Sequence, residues 1–472
     1  MIDEAFSTEI DGFIERNWEQ LVADIAELVR IPSIEEPDKA APGAPYGPGP
    51  ALALEAALAL ARRLGLDPHN CDGHIGYADY PGARKTQLGI IGHVDVVPAG
   101  IGWDFEPFDV TRKDGYLVGR GCLDDKGPSV LALYAVRFLI ERSQRTGEPL
   151  PYTVRFIFGA NEESGMSDVG YYRSHFPDPV FVITPDADFP VCYGEKGGYD
   201  ARITSKPLPK DAVICDFKGG TATNAVPGQA TVLLQVGAEG LEPTDRITVI
   251  EEGERTRLTA TGIGGHASLP EGTVNAIGLL VDYLLEHGLC TAEERSFLEF
   301  QQRLLSAHDG RSVGVQASDE AFGPLTLIGG TVALDKDRRI IQTIDIRYPT
   351  SITEGQITDI IGGAARAIGA EFENTLLMPP FLIDPDSQVI QALREGYNEA
   401  AGEEREPFTI GGGTYAREFT AGASFGPNMP WLEHPSWAGA EHSANEAASE
   451  EMFKQALKIY IATFDKLMSL DL

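Results

Sequence analysis

Five separate stretches of this chain place histidine or carboxylate side chains at the end of an apolar run or turn: His93-Val94-Asp95, Asp124-Asp125, Glu162-Glu163, Thr184-Pro185-Asp186 and Glu441-His442. Most of them follow segments that read as strands. In open α/β sheets ligands collect beyond the carboxyl ends of the strands, so chain order and chemistry point to one crevice. Imidazole and carboxylate without thiolate is the donor mix of a hydrolytic zinc centre, because it leaves the metal Lewis-acidic and its bound water easy to deprotonate. Together the five stretches spell a site for two zinc ions.

The pattern between them supports this architecture. Phe13, Ile14, Trp18, Leu21, Val22, Ile25, Leu28 and Val29 recur at helical spacing and predict an amphipathic helix that stops at Ile31-Pro32. Residues 37–50, dense in Pro, Gly and Ala, read as a surface loop, and residues 51–64 as a second helix. The apolar run 88–97 is a strand of the kind buried on both faces in a parallel sheet. Further strands at 152–158 and 180–184 alternate with a helix at 128–142, the rhythm of a layered α/β domain.

At 472 residues the chain is too long for one ordinary core. Five scattered cysteines argue against a disulfide framework and for a reducing compartment. The first ten residues lack the basic flank and apolar core of a secretory signal, and no run approaches the roughly 20 apolar residues of a membrane span. The expected location is the cytoplasm. A net charge of −33, from 38 basic and 71 acidic residues, repels nucleic acid and anionic lipid, so neither is an expected partner.

Each motif also has an ordinary structural explanation. On extended backbone Asp95 shares a face with His93 and can accept its second N–H, fixing the tautomer for metal binding; a buried histidine beside a turn aspartate has the same sequence. Asp124 and Asp125 open a helix, where an aspartate often serves only as a cap. Glu162 and Glu163 diverge if extended, so one can ligate a metal while the other faces the attacking water; a solvated acidic pair is the alternative. The carboxylates after Thr184 can be turn formers, and His442 a cap or surface histidine. Arg347, at the end of the apolar strand 340–346, carries a rigid fork suited to a substrate carboxylate or to a structural salt bridge. Gly411 to Gly413 permit close approach of a ligand to the backbone, or form a plain turn.

Their joint order resembles the metallopeptidase family of the di-zinc aminoacylases, carboxypeptidases and dipeptidases, most closely its PepV-like dipeptidase branch. The matching blocks span nearly the whole chain: His93-Val-Asp-Val-Val-Pro98, Gly119-Arg-Gly-x-x-Asp-Asp-Lys-Gly-Pro128, Glu162-Glu-Ser-Gly165, Pro185-Asp186, Tyr193-Gly-Glu-Lys-Gly197, His266-Ala-Ser268, Asp345-Ile-Arg-Tyr-Pro349, Gly411-Gly-Gly-Thr-Tyr-Ala-Arg417 and His442-x-x-Asn-Glu446.

The resemblance implies that Asp124 bridges two zinc ions, with His93 and Asp186 completing one and Glu163 and His442 the other; manganese or cobalt are substitutes. Glu162 is the implied general base, Asp95, beside His93, counts with it among the catalytic residues, and a cis peptide is implied at Asp124–Asp125. His266 is implied as an oxyanion donor, and Asn224, Arg347 and Gly413 as substrate contacts. His434 competes with His442 for the last ligand position but lacks the Asn-Glu context.

Where the implied ligands stop, the fold class follows: a split α/β catalytic domain with a mixed, largely parallel sheet flanked by helices, at 1–196 and 383–472, interrupted by an inserted α+β lid at 197–382, expected as two subdomains. A doubled lid of this kind implies a monomer, with a dimer as the alternative, and closure over a small peptide substrate. The expected activity is a zinc-dependent dipeptidase, β-alanyl dipeptides included. An N-acyl-amino-acid deacylase or desuccinylase with the same site is the alternative enzyme, and a catalytically silent binder the alternative class.

Overall fold

The computed structural model describes residues 2–472. The chain divides into two compact units: one contains the chain up to Tyr193 with Leu382–Phe408 and Thr414–Leu472, the other Gly194–Phe381 with Thr409–Gly413.

In the first unit the opening helix is Glu4–Val29, capped by Asp3, whose carboxylate accepts the amides of Ala5 and Phe6. All eight apolar positions of its predicted stripe are buried in the core. Its end is held by Lys126, a fully buried lysine whose Nζ donates to the carbonyls of Leu28 (3.0 Å) and Ile31 (2.8 Å). The expected loop at 37–50 holds a short 3-10 turn, Pro37–Lys39, and its last residues already belong to the next helix, Pro48–Arg63. Proline fits a first helical turn because the amide it lacks would be unpaired there. Helices Lys126–Thr146, Gln388–Ala401 and Glu450–Met468 complete the main helical cover.

Six of the nine strands of this unit's sheet run in the order Asp67–Cys71, Ile75–Tyr80, Tyr152–Gly159, Arg84–His93, Phe181–Thr184, Gly422–Ser424. The last four are mutually parallel, and the first two add antiparallel pairs at the edge. This is the expected mixed, largely parallel sheet. The central strand, however, ends at His93 instead of running on to residue 97. The amide of Val94 makes the last ladder bond, to the carbonyl of Gly159 (2.9 Å), whereas that of Val96 goes to the carbonyl of Ser33 (3.1 Å) outside the sheet, so the backbone departs just after the histidine. Register pairs His93 with Gly159 and Ile90 with Ile183, which brings the ends of three neighbouring parallel strands level.

The second unit is α+β, built on one antiparallel sheet of eight strands: Ile247–Glu252, Arg255–Thr261, Gln229–Leu234, Ile214–Gly219, Thr326–Leu334, Ile340–Tyr348, Gly197–Thr204, Glu371–Met378. Its first four strands come from one continuous stretch, followed by helices Ala276–Glu286 and Ala292–Leu305; the other four enclose that stretch in the sequence. The halves join where Lys218 and Gly219 pair with Ala333 and Val332, and a single apolar core underlies both.

Among the described residues no helix is long and apolar enough to cross a membrane, and all five cysteines are free thiols.

Candidate active site

Three strand ends and two loops of the first unit deliver the candidate donors to one place. His93 terminates its strand fully buried. Its Nδ1 lies 3.0 Å from the main-chain oxygen of Asp95 and 3.5 Å from that residue's carboxylate. With the Nδ1 proton directed to Asp95, the Nε2 lone pair is left for a metal. Nε2 points at Asp124 Oδ1 (3.0 Å) and Asp186 Oδ2 (3.7 Å). The other oxygen of Asp124, Oδ2, lies 2.9 Å from His442 Nε2, which is 3.0 Å from Glu163 Oε2. Each oxygen of Asp124 thus faces a different imidazole, the disposition a bridging carboxylate requires.

Donor atoms of His93, Asp124 and Glu163 lie within 4.8 Å of one another, as do those of His93, Glu162 and Asp186. Two donors bound to one tetrahedral zinc at about 2.0–2.1 Å stand about 3.3 Å apart. The observed edges of 2.9 to 3.7 Å match that spacing. Charge fits as well. Burial raises the pKa of Glu162 and of Asp186 well above the carboxylate range, and neighbouring carboxylates add to it, Glu163 and Asp124 for the first and Asp124 and Asp125 for the second. Asp124, by contrast, is held below its usual value because the bonds from His442 and His93 overcome its burial. His93 is raised well above its ordinary value, since the bonds from Asp124 and Asp95 outweigh burial, and His442 is pushed up to about 11, by its bonds to Asp124 and Glu163. The cluster is short of positive charge, and the residues present fit two divalent cations.

Asp95, whose carboxylate stands beside the His93 ring as expected, also has a second part. Its two carboxylate oxygens accept the amides of Glu162 (3.2 Å) and Glu163 (3.1 Å), while its main chain takes the stronger bond to His93. The glutamate pair is not extended: it lies in a turn closed by Met166 N to Asn161 O (2.8 Å). The two carboxylates still diverge, because Glu163 reaches His442 while Glu162 stays beside His93 and Asp186.

Sequence reasoning missed the supports of this arrangement. Asp168, fully buried, accepts the amides of Ala160 (2.7 Å) and Asn161 (3.2 Å) and the hydroxyl of Tyr415 (2.5 Å), pinning the backbone that leads into Glu162. Tyr415 also packs edge-on against the His93 ring, and a Cβ at Gly159 would stand 2.0 Å from its hydroxyl, so the strand can pass only as glycine. Glu446 Oε1 accepts the amides of Gly121 (2.9 Å), Leu123 (2.9 Å) and Asp124 (3.2 Å), while its other oxygen is paired with Arg120. The Asp124–Asp125 bond within this cradle is cis. His442 sits at φ +60°, a left-handed conformation that costs a non-glycine residue energy and that clusters at functional sites. His434, the competing histidine, stands against Tyr116, its Nδ1 3.3 Å from the hydroxyl.

The second unit carries the remaining candidates. His266 lies on a short ribbon in which it pairs with Ala225, next to Asn224. Its Nδ1 accepts the amide of Ser268 (3.2 Å), and Ser268 Oγ is 2.7 Å away, so the ring proton belongs on Nε2 and makes it a donor. Arg347 is not an open fork. Its Nε and Nη2 donate to the two oxygens of Asp345 (2.9 and 2.7 Å), leaving the Nη1 edge, 3.4 Å from the carbonyl of Gly411. Gly413 closes the short segment Thr409–Gly413, and glycine at 411 is required by packing, since a Cβ there would meet the Ser268 side chain at 2.6 Å.

Residues 89–466 match the model of Peptidase family M20/M25/M40. "Putative dipeptidase YtjP" of Bacillus subtilis is 32% identical over 430 residues, covering 88% of this chain and 91% of that protein. A "Putative dipeptidase" of Staphylococcus epidermidis is 32% identical over 462 residues, covering 94% of this chain and 96% of that one. The fold is similar to human carnosine dipeptidase 1, with a TM-score of 0.58 at 15% identity over 98% of this chain and 100% of the other. The chain therefore belongs to Peptidase family M20/M25/M40, and it is a metal-dependent peptidase.

Proposed function

We propose that the protein is a zinc-dependent dipeptidase that hydrolyses the peptide bond of short peptides, β-alanyl dipeptides included. His93, Asp124 and Asp186 would hold one zinc ion and Asp124, Glu163 and His442 the other, with Mn2+ or Co2+ as substitutes. The observation that carries this reading is the split engagement of Asp124, one oxygen toward each imidazole, with Glu162 beside it and outside that pairing. Two relatives that match 88% and 94% of the chain carry the name putative dipeptidase. When bound, two divalent cations supply Lewis acidity to the scissile carbonyl and lower the pKa of the attacking water.

Glu162 accepts the proton of that water and returns it to the leaving nitrogen. Burial favours this role by raising the carboxylate's proton affinity. Asp95 acts through the amides of the Glu162–Glu163 turn, keeping the base in place. His266, with its proton on Nε2, is the proposed donor to the oxyanion, and Asn224, Arg347 and Gly413 the proposed contacts to the rest of the peptide. Arg347 would use its Nη1 edge, since Asp345 occupies the other. The five free thiols support a reducing, cytoplasmic location, and the doubled sheet of the second unit supports a monomer.

The test is turnover by purified, zinc- or manganese-loaded protein of a dipeptide and of its N-acylated counterpart. Cleavage of the free dipeptide is expected; cleavage of only the blocked compound would make the protein a deacylase and overturn the reading.

A further inference from the structure

Beside the candidate donors, and wholly within the first unit, lies a cavity of about 260 Å³. That is below the roughly 300–1,000 Å³ of a site for a drug-sized molecule and suits a single residue. Leu123, Met429, Pro430 and Met452 form apolar walls, into which two carboxylates are set, Asp188 and Glu441. Three of the lining residues are tied by the chain to candidate ligands: Leu123 precedes Asp124, Glu441 precedes His442, and Asp188 follows Asp186 by two residues. The shared cavity is a second, spatial link, since it brings Asp188 and Glu441 together although they are remote in the chain. Glu441 is oriented by a bond from Asn428 Nδ2. No lysine or arginine lines the cavity, and its one basic residue, His434, is turned to Tyr116.

We propose that this cavity receives the amino-terminal residue of the substrate, whose ammonium group is bound by Glu441 and Asp188 and whose side chain is taken by the apolar walls. The inference rests on the dipeptidase reading and deepens it. A dipeptide is a zwitterion with one fixed cation, and these two carboxylates line the cavity without belonging to the proposed cation pairing. A carboxylate end would meet only like charge here. The apolar walls call for a hydrocarbon side chain, as in leucyl or methionyl peptides, over a charged one.

The test compares wild-type, Glu441→Gln and Ala438→Leu proteins, all metal-loaded, with Leu-Gly and Gly-Gly as substrates and L-leucinamide and N-acetyl-L-leucinamide as inhibitors. Bound metal is measured in parallel. Glu441→Gln is expected to lower kcat/KM for Leu-Gly at least tenfold, chiefly through KM. It should weaken inhibition by L-leucinamide to a similar degree, leave that by the acetylated compound unchanged, and retain the metal. Ala438→Leu, which fills the cavity, should cost Leu-Gly tenfold more than Gly-Gly. Should Glu441→Gln fail to fold, Asp188→Asn carries the same comparison. Unchanged leucinamide inhibition, or an equal loss on both dipeptides in the filled cavity, would overturn the assignment. Loss of metal in Glu441→Gln would overturn it too, by giving Glu441 to the cations. If instead the dipeptidase reading itself is wrong, the wild-type protein alone reveals it by cleaving only N-acylated substrates.

Discussion

The two units each bury a carboxylate cluster, and they neutralise it differently. In the second unit Asp345 is matched by the guanidinium of Arg347, two residues along the same strand, in a two-pronged bond buried from solvent. In the first unit Asp124, Glu162, Glu163 and Asp186 share only His93 and His442, and Glu162 and Asp186 are driven above their ordinary pKa for want of cations. The Asp345 carboxylate is closed by its own arginine, which keeps only its Nη1 edge for another partner. The first cluster, left short of positive charge, is built to take cations from solution.

The contrast can be broken most sharply at Glu162. Glu162→Ala is expected to lower kcat by 10³-fold or more, near the upper range for a lost general base, while metal analysis shows full loading. Equal loss of metal would make Glu162 a ligand instead. In the other cluster, Asp345→Asn leaves a buried guanidinium unmatched and should destabilise the protein by about 3–5 kcal/mol in urea unfolding. A change under about 1 kcal/mol would show that Arg347 finds another partner. A smaller effect is expected from Asp168→Asn, which loosens the backbone ahead of Glu162: kcat should fall about 10- to 100-fold with metal retained, in the range of lost outer support. Unaltered kcat would remove Asp168 from the positioning of the base.

The mildest test uses pH. Burial, and the charge of Asp345 directly across the sheet, push the pKa of Asp200 up to about 7 from an ordinary 3.8, against the pull of Arg347. The folded protein therefore holds this proton more tightly than the unfolded chain. The associated stability is present below about pH 4 and is lost as pH rises through about 7. Asp200→Asn should remove that contribution, so the wild-type-minus-variant difference in unfolding free energy should fall between pH 5 and 7.5. A difference independent of pH would show that the carboxyl ionises as it does in the unfolded chain.

Much of the first cluster was legible because its motifs, each weak by itself, stand in a joint order that resembles the di-zinc metallopeptidases. His93, Asp124, Glu163, Asp186 and His442 carry that signal, and the structure brings all five together with Glu162. Its supports were not legible. Asp168 looks like an ordinary acidic residue in the first turn of helix Ser167–His175, and only tertiary contact with Tyr415 sets it apart. Glu446 meets Asp124 across more than three hundred residues. The end of the central strand was misplaced because Val94 and Val96 are as apolar as strand residues, while the amide of Val96 pairs with Ser33, outside the sheet. One signal was present and unused: on a strand, residues 345 and 347 share a face, so Asp345 was the nearest claimant to the Arg347 fork.

The central claim is that Asp124 joins two cation sites, one on the His93 side and one on the His442 side. Metal analysis of saturated, dialysed protein tests it most directly in three variants beside wild type. Two ions per chain are expected for wild type, one for His93→Ala and for His442→Ala, and none for Asp124→Ala. Fewer than two ions in the wild type at saturation, or two retained by Asp124→Ala, would contradict it.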